Sequence, residues 1–159
     1  MHTGKRGSMK RAEALITMAE MVPLIREALG EGRSIRIFPR GTSMRPMLRQ
    51  GIDSVVLSPA PDHLKKYDIP LYRRDNGAYI LHRIVGVDTT YSCVGDNQFE
   101  KERGIRQDQI VGVVTGFYRG KHFYSMTAPG YRLYCVCWHH TRTLRYLWRR
   151  GSGFLRRAL

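Results

Sequence analysis

A serine and a histidine about forty residues apart are the pair in this chain that could do acyl-transfer chemistry. Ser43 lies in Gly41-Thr42-Ser43-Met44-Arg45-Pro46, a glycine- and proline-bracketed segment that reads as neither helix nor strand. A tight loop of this kind can expose a hydroxyl together with several backbone N–H groups. A serine hydroxyl needs a base to take its proton, and the oxyanion it generates needs donors close by. His82, in Tyr79-Ile80-Leu81-His82-Arg83-Ile84-Val85, interrupts an apolar strand pattern with a side chain that titrates near neutrality, the usual proton acceptor for a serine. The bland reading of His82 is a satisfied histidine on the solvent face of an edge strand. Downstream, Gly95-Asp96-Asn97 has the composition of a turn, and Asp96, Glu100 and Glu102 are three acids within seven residues. One of them could orient the imidazole as the third member of a triad, while Asp96 serves equally well as a turn or capping residue.

Metal chemistry has weaker support. Cys135-Val-Cys137-Trp-His139-His140 misses the usual zinc spacing and no second ligand pair follows, so no metal site and no cofactor are expected. The three cysteines, an odd number with the last two separated by one residue, read as core thiols in a reducing compartment rather than as a disulfide framework.

The elements that must position these residues are short. From Lys10 to Leu29 apolar residues recur at three- and four-residue steps, predicting an amphipathic helix that carries Pro23 and stops at Gly30 and Gly32. Ser34–Phe38, Ser54–Pro59, Ile69–Arg74, Ala78–Val87, Tyr91–Val94 and Ile110–Arg119 are rich in β-branched and aromatic residues and bounded by Gly, Pro, Asp and Asn. They predict a mainly β domain of curled antiparallel sheets. Tyr131–Arg150 mixes Leu, Tyr and Trp with arginine and predicts a basic amphipathic helix. The expected organisation is a tail over 1–8, appended or disordered, an N-terminal helix over 9–32, a β domain over 33–125 and a basic aromatic extension over 126–159.

These motifs, in order, resemble the signal-peptidase-like serine peptidases, which share a fold with the self-cleaving SOS repressors. The likeness runs over about Ile35–Gly116 and rests on "GTSMRPMLRQGIDSVVL", "LHRIVGV" and "GDN" followed by an acid and "IVGVV". The resemblance implies that Ser43 is the nucleophile and that Met44 lines a pocket for small substrate side chains. Bacterial enzymes and repressors of that superfamily have a lysine at the position of His82, whereas the endoplasmic-reticulum and archaeal type has a histidine, so the chain is similar to the histidine type. Glu102 then matches the orienting acid, with glutamate in place of aspartate, and Asp96 matches the acid of the Gly-Asp turn. Gly41 stands where the family often has an oxyanion-donating serine, which leaves backbone amides or the Thr42 hydroxyl for that role. The implied activity is a serine endopeptidase that cuts a peptide or precursor leader after small residues, with the substrate bound as an added strand along a sheet edge.

Charge separates the tails from the middle. Formal net charge is +14, yet residues 1–12 hold four Lys/Arg and residues 126–159 hold seven Arg, both without an acid. Such a tail favours an anionic membrane face or another polyanion. No helix-turn-helix, zinc finger or aromatic RNA-binding motif accompanies it, which argues against nucleic acid. No apolar run reaches the ~20 residues of a spanning helix, and no signal-peptide core is present, so a cytoplasmic protein, peripheral at the inner membrane face, is expected. Two rival readings remain at this stage: a peptide-binding or regulatory protein of the same fold without turnover, and a basic nucleic-acid binder.

Overall fold

A computed structural model describes residues 18–155. The proposed tail over 1–8, the first turns of the expected N-terminal helix and the last four residues lie outside the described residues.

Helix α1 spans Met18–Gly30, and its three- and four-residue apolar spacing buries Val22, Ile25 and Leu29. It ends where the spacing predicts. Gly32 takes φ +75°, its N–H bonds the Leu29 carbonyl, and the Arg33 N–H bonds that of Ala28, which closes the helix with a left-handed cap that glycine adopts without strain. Short strands follow: β1 (Ile35–Ile37), β2 (Ser54–Ser58), β3 (Pro70–Arg73), β4 (Tyr79–Leu81), β5 (Arg83–Val87), β6 (Tyr91–Val94), β7 (Glu102–Ile105), β8 (Ile110–Arg119) and β9 (His122–Ser125). Helices α2 (Pro129–His140) and α3 (Arg142–Leu155) close the chain.

The strands form two small antiparallel sheets with a few helices; the mainly β class holds, but the sheets are neither closed nor curled, against the curled sheets that the sequence led us to expect. In the larger, the order is β1-β2-β8-β3-β4, with β9 also paired to β8; in the smaller it is β5-β6-β7. The ten-residue β8 is the hub. It pairs β2 through Val113–Tyr118, β3 through Ile110–Val113 and β9 through Gly116–Arg119. It also feeds two cores. Val111, Val114 and Phe117 pack with α1, β2 and the 44–48 segment, while Ile110 and Val113 pack with Tyr72, Ile84, Tyr91 and Cys93.

The structure corrects several sequence expectations. Ala78–Val87 is not one strand: β4 pairs β3 in the large sheet, β5 pairs β6 in the small one, and His82 is the single residue between them. Apolar residues on both sides of His82-Arg83 hide this switch: Tyr79 and Leu81 pack on the larger core, Ile80 and Ile84 on the smaller. Tyr131–Arg150 is two helices rather than one. The break is at Thr141, whose hydroxyl adds to the helical N–H bond a second, side-chain bond to the Cys137 carbonyl, of the kind that bends helices. Strands β7 and β9, too polar or too short to show a strand pattern, were not expected.

Candidate active site

The Ser43 loop is held from two directions. Met44, Met47 and Leu48 sink into the large core, leaving Ser43 half-buried above them. From the other side, the turn after β6 clamps the loop's backbone: the Asn97 N–H donates to the Ser43 carbonyl at 2.7 Å, and the Asn97 side-chain amide donates to the Thr42 carbonyl at 3.3 Å. Gly95 sits against the same backbone so closely that a Cβ there would lie 2.7 Å from the Ser43 carbonyl oxygen and 3.0 Å from the Ser43 Cβ. Gly41 takes φ +88°, a conformation that side-chain-bearing residues resist.

His82 lies across from this loop. A small cleft of about 80 Å³ runs between the loop and β4, lined by Gly41, Ser43, Met44 and Leu48 on one wall and by Tyr79, Ile80, Leu81 and His82 on the other. β4 is the last strand of its sheet. Thr42 is exposed and does not line the cleft, and its carbonyl bonds the Arg45 N–H. The structure therefore brings Ser43, His82, Gly41 and Met44 to one cleft and leaves the Thr42 side chain outside it.

His82 is 4% exposed, and burial, partly offset by the nearby Glu102 carboxylate, lowers its pKa to about 4. The imidazole is neutral at physiological pH and can accept a proton. On its far side it opens onto a second groove, of about 530 Å³, lined also by Arg74 and Glu102. Tyr72, fully buried on β3, joins the two groups. Its hydroxyl donates to Glu102 Oε2 at 2.7 Å, and the same oxygen lies 3.4 Å from His82 Nδ1. With its proton committed to the carboxylate, the Tyr72 oxygen can only accept from the imidazole, so this contact favours the tautomer with Nδ1–H and leaves the lone pair on Nε2.

Glu102 itself is clamped by Arg74, whose Nε and Nη2 each donate at 2.7 Å. Partial burial works to raise its pKa, but the Arg74 and Tyr72 bonds more than offset that and hold it below the usual glutamate value. It is a carboxylate at neutral pH, acting on His82 through a tyrosine.

Asp96 has a different occupation. Its carboxylate pairs with Arg83 through two bonds at 2.7–2.8 Å, both side chains being only 2% exposed, and it accepts the Tyr134 hydroxyl at 3.1 Å. Its carbonyl accepts the Trp138 Nε1–H at 2.9 Å. Arg83 in turn donates to the Tyr131 hydroxyl, the Cys135 Sγ at 3.0 Å and the Met47 Sδ at 3.1 Å. The two halves of the sequence pair His82-Arg83 thus point at different networks, one toward Glu102 and one toward Asp96 and α2.

Tyr72, Arg74 and Asn97 are site residues that the sequence reading did not single out. One signal was present: Tyr72 and Arg74 are two apart on a strand and so share a face. Nothing in the sequence shows that this face meets His82. Among the described residues no three His, Cys, Asp or Glu side chains converge as a metal set. Cys93 and Cys135 are buried, Cys137 is exposed, and burial together with the Glu102 charge pushes the Cys93 thiol up to about 12.

Compared with family models, with curated proteins and with solved structures, the chain has no significant match to any of them.

Proposed function

We propose that the chain is a serine endopeptidase of the signal-peptidase-like, Ser-His type. The observation that carries this reading is the pairing of Ser43 and His82 on the walls of one cleft, with the imidazole neutral and linked at Nδ1, through Tyr72, to the Glu102 carboxylate.

In this reading the substrate peptide enters the cleft as a strand beside β4. His82 Nε2 takes the Ser43 proton as Oγ adds to the scissile carbonyl. The imidazolium so formed is stabilised by Glu102 through the Tyr72 hydroxyl. Backbone N–H groups of the 41–44 loop receive the oxyanion, and Met44 borders the space for the residue before the cut. As the C–N bond breaks, His82 returns the proton to the departing amine. Water, deprotonated by the same imidazole, then releases the acyl group from Ser43. Asp96 holds Arg83 against α2, and Glu102 is the acid that supports His82.

The substrate class is a peptide or precursor protein with small residues before the cut. The basic C-terminal helices would bring the enzyme to an anionic membrane face from the cytoplasmic side. Labelling by a serine-reactive fluorophosphonate tests the reaction type. The parent protein should be labelled at Ser43, Ser43→Ala should not, and His82→Ala should label at least tenfold more slowly. Equal labelling of all three, or none in the parent, would sink the peptidase reading.

A further inference from the structure

Several arginines of the fold have an acid: Arg49 pairs with Asp53, Arg74 with Glu102, Arg83 with Asp96, and Arg106 with Asp75 and Asp108. Arg142 is different. It is the first residue of α3, half-buried, and among the described residues no carboxylate bonds it; burial alone lowers its pKa. It lines an open groove of about 570 Å³ with Thr143 and Tyr146 of α3, His139 of α2, and Phe99, Glu100 and Lys101 of the loop before β7. Lys101 also has no acidic partner among the described residues, and neither does Lys66, beside Tyr67, whose ring meets that of His139. Burial lowers the pKa of His139, and the nearby charges of Lys66, Lys101 and Arg142 push the same way. One acid, Glu100, stands in the wall.

We infer that this groove, between the 99–101 loop and the first turn of α3, is a subsite for an acidic side chain of the peptide substrate, bound by Arg142 and Lys101. The assignment rests on the peptidase reading for its ligand class, and geometry gives the link. Phe99, Glu100 and Lys101 form the wall shared with the groove into which His82 and Glu102 open. His82 is the residue common to the Ser43 cleft and that groove, so a peptide that extends beyond the cleft would follow the 99–101 loop toward Arg142. An isolated carboxylate also fits the charge pattern better than a phosphate chain, because Glu100 would repel a continuous polyanion. The subsite is therefore a specificity device: it selects peptides carrying Asp or Glu some residues away from the cut.

The test uses the full-length chain and fluorogenic peptides with small residues before the cut and a single Glu, Gln or Lys moved along the positions three to eight residues to either side. At one position the Glu peptide should have a KM about tenfold below its Gln counterpart with kcat unchanged, the discrimination expected of one charge-assisted contact. The preference should vanish in an Arg142→Gln, Lys101→Gln double variant and turn toward Lys peptides in Arg142→Glu, with thermal melting showing that both variants fold. Equal KM for Glu and Gln peptides at every position would overturn the subsite and leave the peptidase reading standing. Fluorescence polarisation of the same labelled peptides on Ser43→Ala separates the two the other way: Glu-dependent binding without turnover in the parent keeps the groove and sinks the peptidase. Binding of a single-stranded oligonucleotide or of phosphatidylserine vesicles that depends on Arg142 and Lys101 more strongly than peptide binding does would overturn the peptide assignment.

Discussion

His82 owes its state to two neighbours of opposite effect: a buried surround that discharges it and a carboxylate, one hydroxyl away, that would welcome its charge during catalysis. Tyr72→Phe removes the hydroxyl while keeping the ring. The change should lower kcat about tenfold with KM little altered and cost about 1 kcal/mol of stability, the net worth of an ordinary buried hydrogen bond. Steady-state kinetics and thermal melting check both parts; a rise in KM alone would assign Tyr72 to substrate binding. The pH dependence has a definite sign. The imidazole titrates near 4 when folded and near 6.5 when unfolded, so between those values the unfolded chain binds more protons. Stability should therefore fall as pH drops through this window, by about 3 kcal/mol in full, and this cost is absent above it. The acid limb of kcat/KM should likewise lie near pH 4 rather than near 6.5. Ser43 and His82 were legible in the sequence because each breaks its local pattern, one in an irregular loop and the other in an apolar run. Tyr72 was not, because an aromatic residue in a strand looks like packing until the facing strand is known.

At the level of elements, the site is a junction. The residue between β4 and β5 leaves one sheet and enters the other, and the turn after β6 grips the Ser43 loop. Gly95→Ala tests that grip. The added methyl would press on the Ser43 backbone, so kcat should fall more than tenfold while the melting transition shifts by only ~1–3 kcal/mol, the usual cost of modest overpacking. A loss confined to stability would mean that the turn does not set the position of Ser43. The periodicity of α1 and the β-branched runs of β2, β3, β6 and β8 could be read directly from the chain. The strand switch could not, since apolar residues on both sides of His82 serve two cores, and β7, with Glu102-Arg103-Gly104-Ile105, shows no alternation at all. Its register with Cys93 on β6 is what lifts Glu102 to its place.

Over the whole molecule, the C-terminal helices present two faces. Inward, Tyr131, Tyr134 and Trp138 close over the Arg83–Asp96 pair, and Arg145 stacks on the Trp138 ring at 3.5 Å. Outward, Leu144, Leu147 and Trp148 of α3 are 59–74% exposed, with Leu133 and Val136 of α2 exposed beside them. No described helix is long and apolar enough to cross a membrane. An exposed apolar face in an arginine-rich, acid-free segment fits an anionic bilayer surface. Co-sedimentation with phosphatidylserine vesicles should accordingly be lost, or weakened at least tenfold, in Leu147→Ser with Trp148→Ser, and should weaken as salt is raised. Binding unchanged by the pair would rule out this face as the docking element.

The position of β8 in the large sheet has a further meaning for a chain made from its N-terminus. β2 and β3 are never neighbours; each waits for a strand that is translated some forty residues after β3 and lies between them in space. Until residue 119 has been made, the two cores share no common wall, and the β4 edge beside which a peptide would lie has only β3 behind it. The order of synthesis alone thus delays assembly of the larger sheet until β8 is available.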